Sequence, residues 1–574
     1  MKFVSTDPAA AVSLSMCKTL FRASDFAGAR KEVDWAMATW PNEAGFPWLS
    51  AQLFARENKG AEAFVAVQRA MDLAPAPLAY WQSFCLALPE NLSHETPGLL
   101  DKIARAMALD GVANAPALKA AQQIVDRVFA PQLNSPSTAS VAAMVADNPH
   151  HIGLLGAFLE YGRTTAPTLE DALTRLRRCF LDAIRDPAIV EFADLVAALA
   201  IHCFNNEFVF AESAEEQAAV ASVQQRLHGQ ADLLSALVLG AYRPIMNEPY
   251  ADALLAQAPA LGEGAVARAL RVLIAEPWRE RELARTVVRA TPINDKVSDE
   301  VRLQYEQNPY PRWQHLGGGL LASPPAPSPP QRILIAGCGT GKQPLLAARN
   351  APHDTFWAMD LSLASLGYAM RKAEDLGITN VKFLHGDILE LGSLDMKFDA
   401  IACGGVLHHM AVPEKGLPAL RTKLTDNAVL KIMMYTESGR RAVVAGIALR
   451  QELGLDGSPD GIRRFRAVVR DLPPEHPAAG LRNTLDFYSA SECRDLVFHV
   501  MEHRYTLPLL ADMFARAGFR LVKVVASAHA VACFRKMFPD PALDPKLNLD
   551  LWAQVEDRYP GLFGSMYGLN VMKA

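Results

Sequence analysis

The chain has 574 residues, 50% of them hydrophobic, enough for about three domains and a sizeable core. A formal net charge of -5 and a pI near 6.3 give no general electrostatic pull toward nucleic acid, although a basic groove can sit inside an acidic total. The eight cysteines (Cys17, Cys85, Cys179, Cys203, Cys338, Cys403, Cys493, Cys533) include no close pair of the metal-knuckle type. They, a lack of runs approaching the ~18–20 apolar residues of a membrane span, and an N-terminus short of an export signal lead to the expectation of a cytoplasmic protein with no membrane partner.

Residues 1 to about 290 read as helical almost throughout. Ala29, Val33, Ala36 and Pro41 recur as Ala63, Val67, Ala70 and Pro75, a shift of 34 in each case, with Leu20 answering to Phe54. Small residues let two helices approach closely, and the proline ends the second one. Arg69-Ala70-Met71 returns as Arg105-Ala106-Met107, a third, degenerate unit. Over about 15–110 the pattern resembles tetratricopeptide repeats; an irregular helical bundle is the plainer alternative. The domain is drawn at 1–114. Residues 115–290 continue as further helices without a period, among them Leu169 to Ala183 and Val190 to Phe204. An aromatic stretch, Cys203 to Phe210, reads as a packed helix end capped by asparagines. The concave side of a repeat stack would suit a peptide or protein partner.

Residues 291–330 form a joint. A short helix, Asn294 to Tyr305, runs into Glu306-Gln307-Asn308-Pro309-Tyr310-Pro311-Arg312-Trp313, where two prolines within three residues forbid helix and pin an extended path. Ser323 to Pro330 reads as a stiff spacer. The aromatic segment is read as a lid whose Tyr305, Glu306, Asn308, Tyr310 and Arg312 close a cofactor or acceptor pocket; a strip that docks one domain on another is the alternative.

From residue 331 the pattern changes to strands alternating with helices. Arg332 to Ala336 is a strand, Gly337-Cys338-Gly339-Thr340-Gly341 a tight turn, and Lys342 onward a helix whose start presents unpaired N–H groups. Thr355 to Met359 ends at Asp360-Leu361, about twenty residues on, where a carboxylate can take ribose hydroxyls. Val381 to Leu384 leads to His385-Gly386-Asp387-Ile388, and Phe398 to Cys403 leads to Gly404-Gly405-Val406-Leu407-His408-His409. Four strands thus deliver small or acidic residues at the edge where an open parallel sheet binds its ligand.

Together these residues resemble the class I methyltransferases that use S-adenosylmethionine, over roughly 331–436. A dinucleotide dehydrogenase would want Gly-x-Gly-x-x-Gly instead. The resemblance implies that Gly337, Gly339 and Gly341 pass under the methionine part, Asp360 holds the ribose, Asp387 accepts from the adenine amino group, and Ile388 packs on the ring, with Cys338, Thr340 and Leu361 also among the cofactor residues. Gly404 and Val406 complete the cofactor residues, with Tyr305, Asn308, Tyr310 and Arg312 from the lid. The chain departs from that pattern at Ile335, where an acidic residue usually stands two before the first glycine, so the methionine ammonium needs another partner.

Leu417 to Leu424 and Ala428 to Tyr435 supply the next helix and a fifth strand. An insertion of about 70 residues, 437–506, precedes Leu507 to Ala517, Gly518 to Val525, a helix near Leu551 to Tyr559 and a final strand, Met566 to Met572. The fold expectation is a multidomain α plus α/β protein: an N-terminal all-α helical-repeat domain and a C-terminal Rossmann-like seven-stranded methyltransferase sheet, 331–574, with a helical insertion. Helical repeats before the glycine turn, Asn308-Pro309-Tyr310-Pro311-Arg312-Trp313, Asp486-Phe487-Tyr488 and Arg494 to Arg504 are similar to a bacterial group of such methyltransferases.

In the insertion Arg463, Arg466 and Arg470 share a helical face, explained equally by solvent or by an acidic substrate. Histidine suits proton removal at neutral pH, so the candidate catalytic residues are His408 and His409 after the fourth strand and His499, Glu502 and His503 on the insertion. For His408 and His409, a turn satisfied by backbone is the alternative. His499 and His503, at i and i+4 of a helix with Glu502 between, suggest a metal, but no third ligand is identifiable, and none is expected. The leading expectation is an S-adenosylmethionine-dependent methyltransferase acting on a peptide, protein or carrier-bound acceptor recruited by the helices. An RNA methyltransferase, disfavoured by the acidic balance, and an interaction scaffold with an inactive fold are the alternatives.

Overall fold

A computed structural model describes residues 7–92, 95–228, 232–317 and 329–574. The chain forms two compact units, one of residues through Cys179 with the short segment from Gln314, the other from Phe180 through Trp313 and on to Ala574. This division differs from one drawn at 114 and 290. Most of the Pro-rich spacer, Ser323 to Ser328, lies outside the described residues.

The first unit is helical. Pro8–Arg22, Phe26–Thr39, Gly45–Arg56, Gly60–Leu73, Leu78–Ala87 and Pro97–Ala108 follow one another with short turns. Ala29, Val33 and Ala36 are buried, as are Ala63, Val67 and Ala70, their counterparts 34 residues on, and Ala106 and Met107 in the third register. Pro41 and Pro75 each lie just beyond the end of a helix, Thr39 and Leu73. His315 and Leu316 belong to this unit: the Leu316 amide donates to Asp110 Oδ1 at 2.9 Å, and His315 packs against Tyr161.

The second unit opens with helices and closes on a sheet. Pro187–Asn205, a 3-10 turn running into an α-helix, reaches membrane-span length with a mean hydropathy of 1.7, contrary to the reading that no run does. It carries Glu191 and Asp194, and Leu195 through Cys203 are buried in the unit's own packing, so it is a core helix.

The sheet has eight strands, not seven: β1 (Val288–Arg289), β2 (Arg332–Ala336), β3 (Thr355–Asp360), β4 (Val381–His385), β5 (Phe398–Gly404), β6 (Leu424–Tyr435), β7 (Phe519–Val525) and β8 (Met566–Lys573), in the order β1-β4-β3-β2-β5-β6-β8-β7. The seven expected strands are all present. The extra one is a two-residue edge strand parallel to β4, too short to leave a pattern in sequence. β8 alone runs antiparallel, between β6 and β7. β2 to β5 carry near-continuous apolar runs because helices cover both faces of a parallel sheet.

One face packs Leu334, Met359, Ile401, Leu430 and Trp552; the other holds Ile335, Phe356, Ala358 and Leu366. Trp552 is fully buried, its indole donating to the Pro545 carbonyl at 2.5 Å and its ring 4.7 Å from Phe534. Replacing Trp552 with Ala is expected to destabilise this unit by about 3–5 kcal/mol, read as a lowered urea midpoint for its unfolding transition.

Candidate functional site

The turn after β2 folds tightly. Gly337 and Cys338 both donate backbone N–H groups to the Met359 carbonyl, at 2.8 and 2.9 Å. Gly337 and Gly339 have φ of 75° and 53°, and a Cβ on either would clash: with Val406 Cγ2 at 2.2 Å for Gly337 and with the Tyr310 carbonyl oxygen at 2.6 Å for Gly339. The absence of side chains therefore lets the turn after β5 and the segment 308–313 close directly onto the glycine loop.

That segment is fastened at several points. The Thr340 amide donates to the Tyr310 carbonyl at 3.3 Å, the Thr340 hydroxyl to the Pro311 carbonyl, and the Trp313 indole to the Thr340 carbonyl at 3.1 Å. Glu306, at the end of the helix Lys296–Gln307, accepts from the Leu363 and Ala364 amides at 2.7 and 3.1 Å, satisfying donors at the start of helix Leu363–Asp375.

Beneath the segment is a cavity of about 370 Å³, within the range of small-molecule sites. Of the expected cofactor residues, Gly337, Cys338, Gly339, Asp360, Leu361, Asp387, Ile388, Gly404, Val406, Tyr305 and Tyr310 line it. Thr340 and Gly341 do not: Thr340 is wholly buried and holds Pro311, while Gly341 lies against Ala369. Nor do Glu306, Asn308 and Arg312, which line a second groove of about 930 Å³ on the other side of the segment. Asn308 accepts there from Arg494 at 2.9 Å, and the Arg312 guanidinium lies over Phe204 at 4.9 Å. The segment is thus both a lid and a packing strip, one side for each role.

The cavity's carboxylates are held in place. Asp360 Oδ2 accepts from the Gly339 amide at 2.7 Å and Oδ1 from the Ser362 amide at 3.0 Å. Asp387 Oδ1 accepts from Leu389 at 2.9 Å, but its Oδ2 is buried with no hydrogen-bond partner. Burial pushes the carboxyls of Asp360 and Asp387 up. An orphaned acceptor at the cavity wall, a fixed carboxylate one strand away and a side-chain-free loop between them match what an adenosine amino group, a ribose and a methionine tail require, so the site fits S-adenosylmethionine.

The histidines sort differently from their expected roles. His409 lines the cavity, its Nδ1–H donating to the Met501 carbonyl at 2.7 Å, which leaves Nε2 as the basic nitrogen. His408 lies outside the cavity wall, fully buried, stacked 3.7 Å from Tyr435, with Nδ1 accepting from the Tyr435 amide and Nε2 without a partner. Residues 499–503 follow the helix Ala490–Val497 and are not helical, so His499, Glu502 and His503 share no helical face. Glu502 is ion-paired with the buried Arg440, and His503 faces the Met410 carbonyl at 3.1 Å.

Sequence reasoning missed Asp495. It lies on the helix Ala490–Val497, lines the cavity, and accepts from the Tyr305 hydroxyl at 2.6 Å. The facing atoms of His409, Asp495 and His499 lie within 4.8 Å of one another, a grouping that could hold a metal. The tautomers argue against one. His499 Nδ1 accepts from the Met501 amide at 3.1 Å, so the neutral ring carries its proton on Nε2, facing the Tyr305 oxygen at 3.2 Å, and has no lone pair left for an ion. The arginine face of the insertion is also reassigned: Arg463 donates to the Phe208 carbonyl and pairs with Glu212, and the buried Arg466 donates to the Phe487 and Val209 carbonyls. These contacts tie the insertion to residues 208–212, in place of solvent or an acidic substrate.

Residues 333–426 match a family described as a methyltransferase domain. That stretch, from β2 into β6, is therefore similar to a methyltransferase domain. An uncharacterized protein of Synechococcus sp. is 31% identical over 251 residues, 39% of this chain and 59% of that protein. A tRNA (guanine-N(7)-)-methyltransferase of Rubrobacter xylanophilus is 40% identical over 114 residues, 20% of this chain and 47% of that one. The chain thus spans about half the length of these curated relatives. Among solved structures, PKMT2 from Rickettsia typhi in complex with AdoHcy aligns with 42% of this chain and 49% of its own at 15% identity and a TM-score of 0.34.

Burial holds His408, His409 and His499 below the usual imidazole range. The unfolded chain takes up protons at these sites from about pH 6.5 downward while the folded domain does not, so their contribution to stability is lost as pH falls through that value. The raised carboxyls of Asp360 and Asp387 act in the opposite sense, losing stability as pH rises through their own range. His408→Gln, which removes one buried imidazole outside the cavity, is expected to narrow the drop in Tm between pH 8 and pH 5.5, measured by thermal denaturation. Gly339→Ala, by forcing a Cβ against the Tyr310 carbonyl at positive φ, should weaken S-adenosylmethionine binding by at least about tenfold in calorimetry.

Proposed function

We propose that the protein transfers a methyl group from S-adenosylmethionine to a peptide, protein or carrier-bound acceptor, with His409 as the proton acceptor. The observation that carries this reading is the pairing, in one lidded cavity, of an unpartnered buried Asp387 oxygen with a basic His409 nitrogen at the opposite turn. The cofactor, when bound, supplies an activated methyl group on a sulfonium. Asp360 and Asp387 would then hold the adenosine, and the glycine loop would run beneath the methionine part. Tyr305 and Tyr310, with their rings stacked at 6.1 Å, exclude water from above. His409 keeps a neutral imidazole in this buried setting, so Nε2 can take a proton from an acceptor aligned for attack, while the Met501 carbonyl fixes the ring's orientation.

The helix pairs of residues 8–108 are assigned the task of recruiting the acceptor. Their 34-residue register and buried small residues support a repeat stack of tetratricopeptide type, a shape suited to extended peptides.

Asp360→Ala is expected to abolish S-adenosylmethionine binding in calorimetry. His409→Gln should leave that binding within about twofold and lower methyl transfer roughly 10²–10⁴-fold, read with labelled methyl donor in a cell lysate. An unchanged rate would remove His409 from the chemistry, and label recovered chiefly in RNA would overturn the acceptor assignment.

A further inference from the structure

The methionine part of the cofactor brings an ammonium group, and position 335 cannot hold it. Ile335 is 3% exposed and belongs to the apolar cluster of Phe356, Ala358, Leu366 and Ala402 on one face of the sheet. Three carboxylates line the cavity: Asp360, Asp387 and Asp495. Asp360 ends β3 and Asp387 follows β4, and the cofactor reading gives them the ribose and the adenine. Asp495 comes from the insertion.

No cation forms an ion pair with it among the described residues. Asp495 is 4% exposed, and its defined partner is the Tyr305 hydroxyl. The positive group on this side, Arg440, is committed to Glu502. His409 and His499 stay neutral, and burial pushes the Asp495 carboxyl up. A buried carboxylate facing a cavity without a paired counter-charge is unfavourable until a cation arrives. Metal ions are disfavoured by the His499 tautomer, whereas an ammonium offers N–H donors to a carboxylate acceptor. The contact chain also places Asp495 over the glycine loop: the Tyr310 backbone rests on Gly339, the Tyr310 ring stacks on Tyr305, and the Tyr305 hydroxyl reaches Asp495.

We infer that Asp495, positioned by Tyr305, binds the α-ammonium of the methionine moiety, a task that the residue at position 335 cannot perform. The inference rests on the S-adenosylmethionine reading above. It makes the insertion part of the cofactor site.

Calorimetry on the full chain with three ligands tests it: S-adenosylmethionine, S-adenosylhomocysteine, which keeps the ammonium but has no sulfonium, and 5′-methylthioadenosine, which has neither ammonium nor carboxylate. Asp495→Asn should weaken the first two alike, by about 10- to 100-fold, and leave methylthioadenosine within about twofold. Tyr305→Phe should weaken the same two ligands by a smaller factor. A loss confined to S-adenosylmethionine would assign Asp495 to the sulfonium and overturn the inference. An equal loss for all three ligands would also overturn it, as would unchanged affinity for all, the latter pointing to a cation on the acceptor. Failure of the wild-type chain to bind any of the three would instead sink the cofactor reading itself.

Discussion

The cavity depends on the missing side chain at Gly339. One residue satisfies two demands: its amide donates to Asp360 at 2.7 Å, fixing the carboxylate at the end of β3, and its open Cα face receives the Tyr310 carbonyl. Any Cβ there would separate the lid from the loop. With the lid lifted, Tyr305 and Tyr310 would no longer roof the cavity, and Tyr305 would no longer reach Asp495. The positive φ at this position makes glycine the residue of least strain, so backbone conformation and close approach select the same residue.

The insertion is rigidly anchored for a segment placed between two strands of a sheet. Arg466 is 2% exposed and donates to two backbone carbonyls from separate parts of the chain, Phe487 and Val209, while Arg463 and Arg243 share Glu212. A guanidinium suits this work because its fork of donors can reach several acceptors at once and it stays charged when buried. On the cavity side, the insertion contributes Asp495 directly and the Met501 carbonyl behind His409. Bringing these groups to within hydrogen-bond reach requires their supports to be fixed, which the arginine contacts achieve.

The parallel strands and their carboxyl-end residues were legible in sequence because burial on both faces leaves continuous apolar runs, and a ligand edge leaves glycines and acids at fixed offsets. Hence Asp360, Asp387 and the glycine turn could be singled out by residue number, and of these Asp360, Asp387, Gly337 and Gly339 line the cavity. Asp495 was not singled out, because it comes from an insertion about 135 residues past Asp360 and meets Tyr305 only through the fold; Asp486-Phe487-Tyr488 and Arg494-Asp495-Leu496 marked the region without assigning the aspartate a task. The placement of His499, Glu502 and His503 on one helical face failed for a local reason. The helix stops at Val497, and Phe498 to His503 then bond to carbonyls, amides and charges at several separate places. Arg463 and Arg466 misled by periodicity: a shared face is all that spacing conveys, and it is silent on whether the face meets solvent or another segment.

The charge balance of the cavity follows from burial. Three acids and one lysine, Lys342, line it, the imidazoles around it are held neutral by desolvation, and no lysine or arginine forms an ion pair with Asp495 or Asp387 among the described residues. Such a pocket is electrostatically incomplete and favours a ligand that brings positive charge and N–H donors. Neutral histidines are compatible with that demand and with proton transfer, because a base that is already deprotonated adds no repulsion to a cationic ligand. Arg440 would spoil the balance if it were free; its buried pairing with Glu502, beneath the Tyr435 ring at 3.8 Å, keeps its charge compensated next to the histidines. The acid-rich wall and the neutral imidazole therefore belong to one arrangement, in which a ligand bringing positive charge would meet no repulsion from His409.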